Sequence, residues 1–129
     1  MARRPSSNPT EVEFQILGAL WRRGPSTVRE VHDTLGNERD TGYSTTLKMM
    51  QVMKAKRLVV RDDSVRPQVY RAVRSRHETQ LGILDDLVQK AFGGSARRLV
   101  MQALAVKKAS AEELEQIEGL LEKLESGGQ

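Results

Sequence analysis

Hydroxyl, amide and ammonium side chains share one face of a helix-length segment that runs from residue 43 to about residue 56. Four residues of this segment recur at the spacing of one buried helical stripe: Thr46, Met49, Met50 and Met53. The opposite face is small, polar and positively charged, and it carries Ser44, Thr45, Lys48, Gln51 and Ala55. Such side chains can hydrogen-bond the edges of nucleic-acid bases, and nothing bulky or acidic among them would meet the phosphates.

A basic β-hairpin is predicted directly after this helix. Residues 58–61 are short and rich in β-branched side chains, residues 62–64 form a turn, and residues 68–72 alternate as a return strand would. Pro67 fits only near the tip or on an edge, because it has no amide hydrogen for the ladder. The pattern predicts a two-stranded wing.

Two capped helices are predicted before the polar helix. Thr10 and Glu13 have the spacing of a capping box, so the first helix should run from about Glu11 to Arg23 and end at Gly24. A second capped segment covers residues 26–35. Three helices followed by a hairpin, within about 70 residues, form the winged helix-turn-helix module, in which the third helix lies in the DNA groove.

The second half of the chain is predicted to be wholly helical. One helix should end at Gly93-Gly94, Ser95 caps the next, and the last begins after Ser110, with Glu113 completing a capping box. Three helices in about 50 residues cannot bury all their apolar faces internally, so we expect a homodimer. The predicted dimerisation residues are Leu81, Leu84, Val88, Leu114, Ile117, Leu121 and Leu124. A helical hairpin folded back on the first half is the alternative, because periodicity does not distinguish the two.

These elements predict a mainly α fold with a small β-hairpin wing. A winged helix-turn-helix DNA-binding domain would occupy residues 1–75, a helical dimerisation domain residues 76–126, and a disordered tail residues 127–129. Residues 1–76 contain 15 Lys and Arg against 8 Asp and Glu, whereas residues 77–129 contain 6 against 9. This asymmetry indicates a polyanion-binding module joined to one that does not touch the polyanion.

Several functional classes are excluded by composition. The chain has no cysteine, which excludes disulfides, thiolate metal sites and cysteine nucleophiles. His32 and His77 lie far apart in no recognisable metal or nucleophile spacing, so we predict no metal, no cofactor and no enzymatic activity. No apolar run approaches the roughly 18 residues needed to cross a bilayer, so we predict a cytoplasmic protein without membrane insertion.

Five segments together resemble the BlaI/MecI family of penicillinase repressors over nearly the whole chain. They are residues 20–25 (LWRRGP), 27–31 (TVREV), 42–47 (GYSTTL), 65–71 (VRPQVYR) and 92–95 (FGGS). The resemblance implies a dimeric winged-helix repressor that binds double-stranded DNA at a palindromic operator. The repressed genes in that family are often those of β-lactamase or of the response to cell-wall stress.

The resemblance also assigns site residues by position. The family's base-reading helix begins at Gly42, and its base contacts fall on Ser44, Thr45 and Lys48. Gln51 would be a further contact with a base or a phosphate.

Two further contacts are expected outside this set. Arg66, in the wing, would approach the adjacent minor groove or the backbone. Tyr43, at the start of the helix, would hydrogen-bond a phosphate, or else would be a core or hinge aromatic.

The chain departs from the family pattern in three ways. Arg57 stands where a glycine usually separates the helix from the wing, so a left-handed cap there would be strained unless the turn differs. In well-known members a membrane sensor protease cuts an Asn-Phe bond in the dimerisation half. Here the nearby residues are Leu99–Gln102, so the cleavage site is not carried over, although a membrane sensor or protease stays a candidate partner. The cysteine-based sensing of the copper-responsive branch is excluded.

A different function would use the same fold. Winged-helix modules also bind proteins or RNA, so an interaction module that does not contact duplex DNA is the alternative hypothesis.

Overall fold

The part of the chain that the structure describes forms six helices and three short strands. The computed structural model describes residues 8–36, 41–107 and 110–127, and the side chains of residue 121 and residues 124–127 are outside that description. The elements in chain order are α1 (Glu11–Arg23), β1 (Ser26–Thr27), α2 (Val28–Leu35), α3 (Tyr43–Ala55), β2 (Val59–Asp62), β3 (Val69–Ala72), α4 (Arg76–Ala91), α5 (Ala96–Val106) and α6 (Ala111–Gly127). The predicted mainly α fold with a wing is confirmed.

The first helix begins and ends where its capping signals predict. Thr10 Oγ1 accepts the Glu13 amide at 3.2 Å, and a Glu13 carboxylate oxygen accepts the Thr10 amide at 2.9 Å. These two bonds satisfy amides that have no partner inside the helix. Gly24, at φ 85°, ends the helix in a conformation that few other residues adopt without strain.

The second predicted segment divides into a strand and a helix. Ser26 and Thr27 form β1, and Thr27 also caps α2 through a capping box with Glu30. The sheet has the order β1-β3-β2, and both pairs are antiparallel. The predicted two-stranded wing is present as the β2–β3 hairpin. The sequence did not predict β1 as a third strand of the sheet, since a strand of two residues is too short to show alternation.

The chain divides into two compact units, of which the first spans Met1–Leu84. The hydrophobic core of this unit buries one side of α3. Its buried side chains come from α1, α2, α3 and the sheet: Ile16, Leu17, Ala19, Leu20, Val28, Val31, Leu35, Met50, Met53, Leu58, Val59 and Tyr70. Thr46 is also buried, and Met49 is half-buried. The predicted stripe of α3 is thus confirmed, and the opposite face remains in solvent.

Arg57 ends α3 in the left-handed conformation, at φ 64°. The Leu58 amide donates to the Met53 carbonyl at 2.9 Å, and the Arg57 amide donates to the Lys54 carbonyl at 3.0 Å. These are the two hydrogen bonds of a Schellman motif, which favours glycine at the position of Arg57. The turn therefore has the left-handed geometry that suits glycine, although this chain has Arg57 at that position.

The described residues of the second unit, Asp85–Gln129, are mostly helical, as predicted. Gly93 and Gly94 have φ of 59° and 81° and follow the end of α4. Ser95 Oγ accepts the Arg98 amide at 3.1 Å at the start of α5. Ser110 and Glu113 form the predicted capping box of α6. That helix includes Gly127, where the disordered tail was expected to begin, and residues 128–129 lie outside the described part.

The predicted domain boundary after residue 75 lies next to the first residue of α4, Arg76. The Ser75 amide donates to the Glu78 carboxylate at 3.1 Å, and the Glu78 amide donates to Ser75 Oγ at 3.1 Å, so a capping box opens this helix. Trp21 Nε1 donates to the Arg74 carbonyl at 2.9 Å, which fastens the end of the sheet to α1. Among the described residues, no helix is both long and apolar enough to cross a membrane.

Candidate nucleic-acid interface

The outer side of α3 presents a continuous polar face to solvent. We call this the polar face and define it as Ser44, Thr45, Lys48 and Gln51, all of which are exposed. The face exists because Met50 and Met53 bury the opposite side of the helix. An ammonium, an amide and two hydroxyls on one exposed helix can donate to bases and to phosphates.

An open groove runs between the polar face and the beginning of α1. Ser44, Thr45 and Lys48 line it from α3, and Thr10 and Glu13 line it from α1. A carboxylate beside a surface that meets DNA would repel phosphates unless its charge were balanced.

The charge of Glu13 is balanced by Lys56. The Lys56 ammonium lies 2.7 Å and 3.0 Å from the two carboxylate oxygens of Glu13, whose side chain is 7% exposed. Burial alone would raise the pKa of Glu13, but hydrogen bonds from Lys56 and from the Thr10 amide outweigh it and hold this pKa below its ordinary value of 4.5. Glu13 is therefore ionised, and the Lys56 ammonium neutralises its charge within the protein.

Tyr43 begins α3 at the surface, where its ring contacts the side chains of Arg29 and His32 of α2. The guanidinium carbon of Arg29 lies 4.2 Å from the ring centroid. The His32 ring meets the Tyr43 ring edge-on, with centroids 5.8 Å apart. His32 Nδ1 also lies 2.9 Å from the hydroxyl oxygen of Thr46, so α2 and α3 are linked below the exposed ring. Tyr43 is 37% exposed and does not belong to the core.

Arg66 lies at the tip of the wing, and its guanidinium is turned toward the wing backbone. It donates to the carbonyls of Asp63 at 2.7 Å and Val65 at 3.2 Å. The side chain is exposed, so its remaining N–H groups face solvent at the tip. This location fits the predicted contact with a neighbouring groove or backbone, which remains a prediction.

The wing also carries two acids, Asp62 and Asp63, which were predicted only to form its turn. A hydrogen bond from Arg61 lowers the pKa of Asp63. Hydrogen bonds from the Ser64 hydroxyl and amide lower the pKa of Asp62. Both acids are thus held as carboxylates, and Arg61 is engaged by one of them. The wing is consequently less basic than its arginines alone indicate.

The predicted dimerisation residues differ in how much surface they offer. Leu81, Leu84 and Leu114 are 50%, 46% and 39% exposed, and Ile117 is half-buried. Val88 is only 8% exposed, so little of its apolar surface is left for a partner. The side chains of Leu121 and Leu124 lie outside the described part of the chain.

Nothing in the described ranges has the arrangement of a metal site, since no three acidic or histidine side chains converge there. His32 is used in the contact between α2 and α3. His77 lies in the first turn of α4, far along the chain from it. The Thr46 hydroxyl beside His32 is buried, so it is not open to a substrate as a catalytic nucleophile would have to be.

The chain is similar to one known family and to several known proteins. The model of the penicillinase repressor family matches residues 9–123. Two curated relatives, both named transcriptional regulator BlaI and both from Mycobacterium tuberculosis (strains CDC 1551 / Oshkosh and ATCC 25618 / H37Rv), are 32% identical over 120 residues, which cover 91% of this chain and 85% of theirs. The solved structure of a MarR family protein from Bacillus stearothermophilus matches with a TM-score of 0.51 at 22% identity, over 92% of this chain and 74% of that one. The last similarity concerns the fold alone.

Proposed function

The chain belongs to the penicillinase repressor family, and we propose that this DNA-binding transcriptional repressor acts as a homodimer on a palindromic operator. One observation carries the proposal, namely the exposure of Ser44, Thr45 and Lys48 on a helix whose other side is buried in the core. A helix fixed in this way can enter the major groove as a rigid body.

The polar face supplies the chemistry for reading bases. The Lys48 ammonium can donate to the O6 and N7 acceptors of guanine, and the hydroxyls of Ser44 and Thr45 can serve either donors or acceptors. Gln51 lies one turn further along α3 and would contact a base or a phosphate. Tyr43 and Arg66 would add contacts to the backbone or the minor groove, at the start of the helix and at the tip of the wing.

Exposed apolar side chains in the helical half support the homodimer. Leu81, Leu84 and Leu114 are each more than a third exposed in the single chain. A second copy that covered them would remove this apolar area from water, which is the main driving force of stable association. Two-fold symmetry would then place two polar faces on half-sites one turn of B-DNA apart, roughly 34–36 Å.

The operator would control genes of β-lactamase or of the response to cell-wall stress, as the family resemblance implies. A dimer bound over the promoter would exclude RNA polymerase. A membrane sensor or protease would release the repressor from the operator by cleaving or contacting its helical half. The residues at 99–102 do not match the family's cleavage site, so they do not specify where this would happen.

The experiment that tests the proposal is a salt-titrated gel shift on duplex DNA and on structured RNA of equal length. We expect tight binding to duplexes, with an affinity that falls steeply as salt rises, because each neutralised phosphate releases a counterion. Equal or tighter binding to RNA, or binding to neither, would contradict the proposal and favour the interaction module.

A further inference from the structure

A second groove lies between α2, the outer side of α3 and the wing. Arg29 lines it from α2, Tyr43 and Gln51 line it from α3, and Arg61 and Gln68 line it from the wing. Its volume is about 150 Å³. The groove thus joins the polar face to the wing, and two of its lining side chains are cations.

The two cations of this groove are not equally available. Arg61 is engaged by the carboxylate of Asp63 and is 22% exposed. The Arg29 side chain is 61% exposed, and its contact with Asp33 in the next turn is 4.0 Å long. A guanidinium has five N–H donors, and such a distant carboxylate engages them weakly. Arg29 therefore has donors to offer a ligand.

The Tyr43 ring holds Arg29 in place. The guanidinium carbon lies 4.2 Å from the ring centroid, within the range of a cation–π contact. A guanidinium that lies against an aromatic face keeps the N–H groups at its edge free to bind a planar or tetrahedral anion. The ring thus reduces the entropy that Arg29 would lose on binding an anion.

The acids near Arg29 do not close the site to an anion. Glu30, the next residue, is turned to Arg23, whose guanidinium nitrogen lies 3.1 Å from its carboxylate. Hydrogen bonds from the Thr27 amide and hydroxyl, together with Arg23, lower the pKa of Glu30, so this acid stays in its own pair. Asp33, one turn further along α2, is left as the carboxylate beside Arg29.

We propose that the groove binds one backbone phosphate of the operator, with Arg29 as its charged ligand and Tyr43 as the residue that positions Arg29. This inference rests on the proposed function. A duplex that takes α3 in its major groove and the wing against its neighbouring groove must pass a sugar-phosphate strand between them, and this is where the groove lies. The side-chain amides of Gln51 and Gln68 supply neutral donors to the same strand.

The test is the salt dependence of operator binding by the full-length Arg29→Gln variant. The plot of log K against log salt has a negative slope, and each lost phosphate contact makes it about 0.9 less steep. A two-fold complex loses two such contacts, so its slope should become about 1.8 less steep. Affinity should fall roughly tenfold or more at low salt, to the same extent for operator and for random duplex. Arg97→Gln, which removes an exposed arginine from α5 in the other unit, is the matched control and should keep the wild-type slope.

Two variants of Tyr43 test the positioning role. Tyr43→Leu removes the aromatic face without removing a charge, and we expect its slope to move toward that of Arg29→Gln. Tyr43→Phe keeps the ring and should restore the slope. In the Arg29→Gln background, Tyr43→Leu should cause no further change of slope. Thermal unfolding checks that each variant is folded.

The outcomes separate this inference from the function on which it rests. If the wild type binds no duplex, the proposed function fails. If the wild type binds duplex and Arg29→Gln keeps its slope, only the phosphate site is overturned. If Arg29→Gln lowers discrimination between operator and random duplex, Arg29 contacts a base and the assignment to a phosphate is equally overturned.

Discussion

Lys56 Nζ lies 2.7 Å from Glu13 Oε1, so an ion pair ties the end of α3 to the first turn of α1 across 43 positions of sequence. The pair lies beside the groove that Ser44 and Lys48 line. It fixes the C-terminal end of α3, while the buried side chains Met50 and Met53 fix its inner side. The orientation of the polar face therefore depends on both.

Lys56→Met should destabilise the fold. The substitution keeps the aliphatic stem but leaves the nearly buried Glu13 carboxylate without its cation, and we expect the free energy of unfolding to fall by about 1–3 kcal/mol at neutral pH. Chemical denaturation measures the change. Lys54→Met removes an exposed cation from the same helix and should stay within about 0.5 kcal/mol of the wild type. Equal losses in the two variants would contradict a role for the pair.

The Glu13–Lys56 pair should also make stability depend on pH. The pKa of Glu13 is lower in the folded chain than its ordinary value of 4.5, so the pair contributes fully above that pH and loses its contribution as pH falls through the folded pKa. The difference in unfolding free energy between the wild type and Lys56→Met should shrink between about pH 6 and pH 3. A difference that grows as pH falls over this range would contradict the predicted pH dependence of the pair.

Arg57→Gly should stabilise the protein. Arg57 has φ 64° in a Schellman motif, and glycine adopts this conformation without the contact between Cβ and backbone that costs other residues about 1 kcal/mol. We expect the free energy of unfolding to rise by about 1 kcal/mol, measured by denaturation. Arg57→Ala removes the same charge but keeps Cβ, and should give little gain. If Arg57→Ala raised the free energy of unfolding as much as Arg57→Gly, the effect would come from the lost charge and not from the backbone conformation.

Lys48→Ala should weaken operator binding by about 1–3 kcal/mol and lower discrimination at one base pair per half-site. The measurement is a set of titrations with the operator and with single-base-pair variants. Lys54→Ala, an exposed lysine six positions further along the same helix, should weaken all sequences equally or not at all. If Lys48→Ala also weakens all sequences equally, then Lys48 contacts a phosphate.

Local signals in the sequence were sufficient for the helices. The capping boxes at Thr10 and Ser110 and the glycines after α4 are short-range features, since each hydrogen bond joins residues three positions apart or each glycine ends its own helix. The buried stripe of α3 followed from helical periodicity for the same reason. These features do not depend on the rest of the fold.

Contacts between distant segments were not predictable from these signals. The pairing of Ser26 with Tyr70 in the sheet depends on how the chain folds back, and two residues show no alternation. The same is true of the contact between Arg29 and Tyr43, which lie on different helices. The sequence showed only that an arginine, Arg29, would lie in the first turn of α2. Its position in the sequence does not indicate that it contacts an aromatic ring on another helix.

Leu114→Asp should separate the proposed dimer. The leucine is 39% exposed in the single chain, so an aspartate there costs little in the fold but would be buried without a partner in a dimer interface. We expect monomers in analytical ultracentrifugation and a loss of operator binding. Gln116→Asp places the same charge on an exposed position two residues away and should remain dimeric. Operator binding by a monomeric Leu114→Asp as tight as that of the wild type would contradict the two-fold complex.

The most direct test is to select bound duplexes from a random pool with the wild-type protein and with Lys48→Ala. The account predicts an enriched motif of two inverted half-sites whose centres lie about 10–10.5 base pairs or a multiple apart. It also predicts that Lys48→Ala loses selectivity at the same position of each half-site. A motif without inverted symmetry, or the same motif at unchanged selectivity from Lys48→Ala, would contradict the account that two copies read DNA through the polar face of α3.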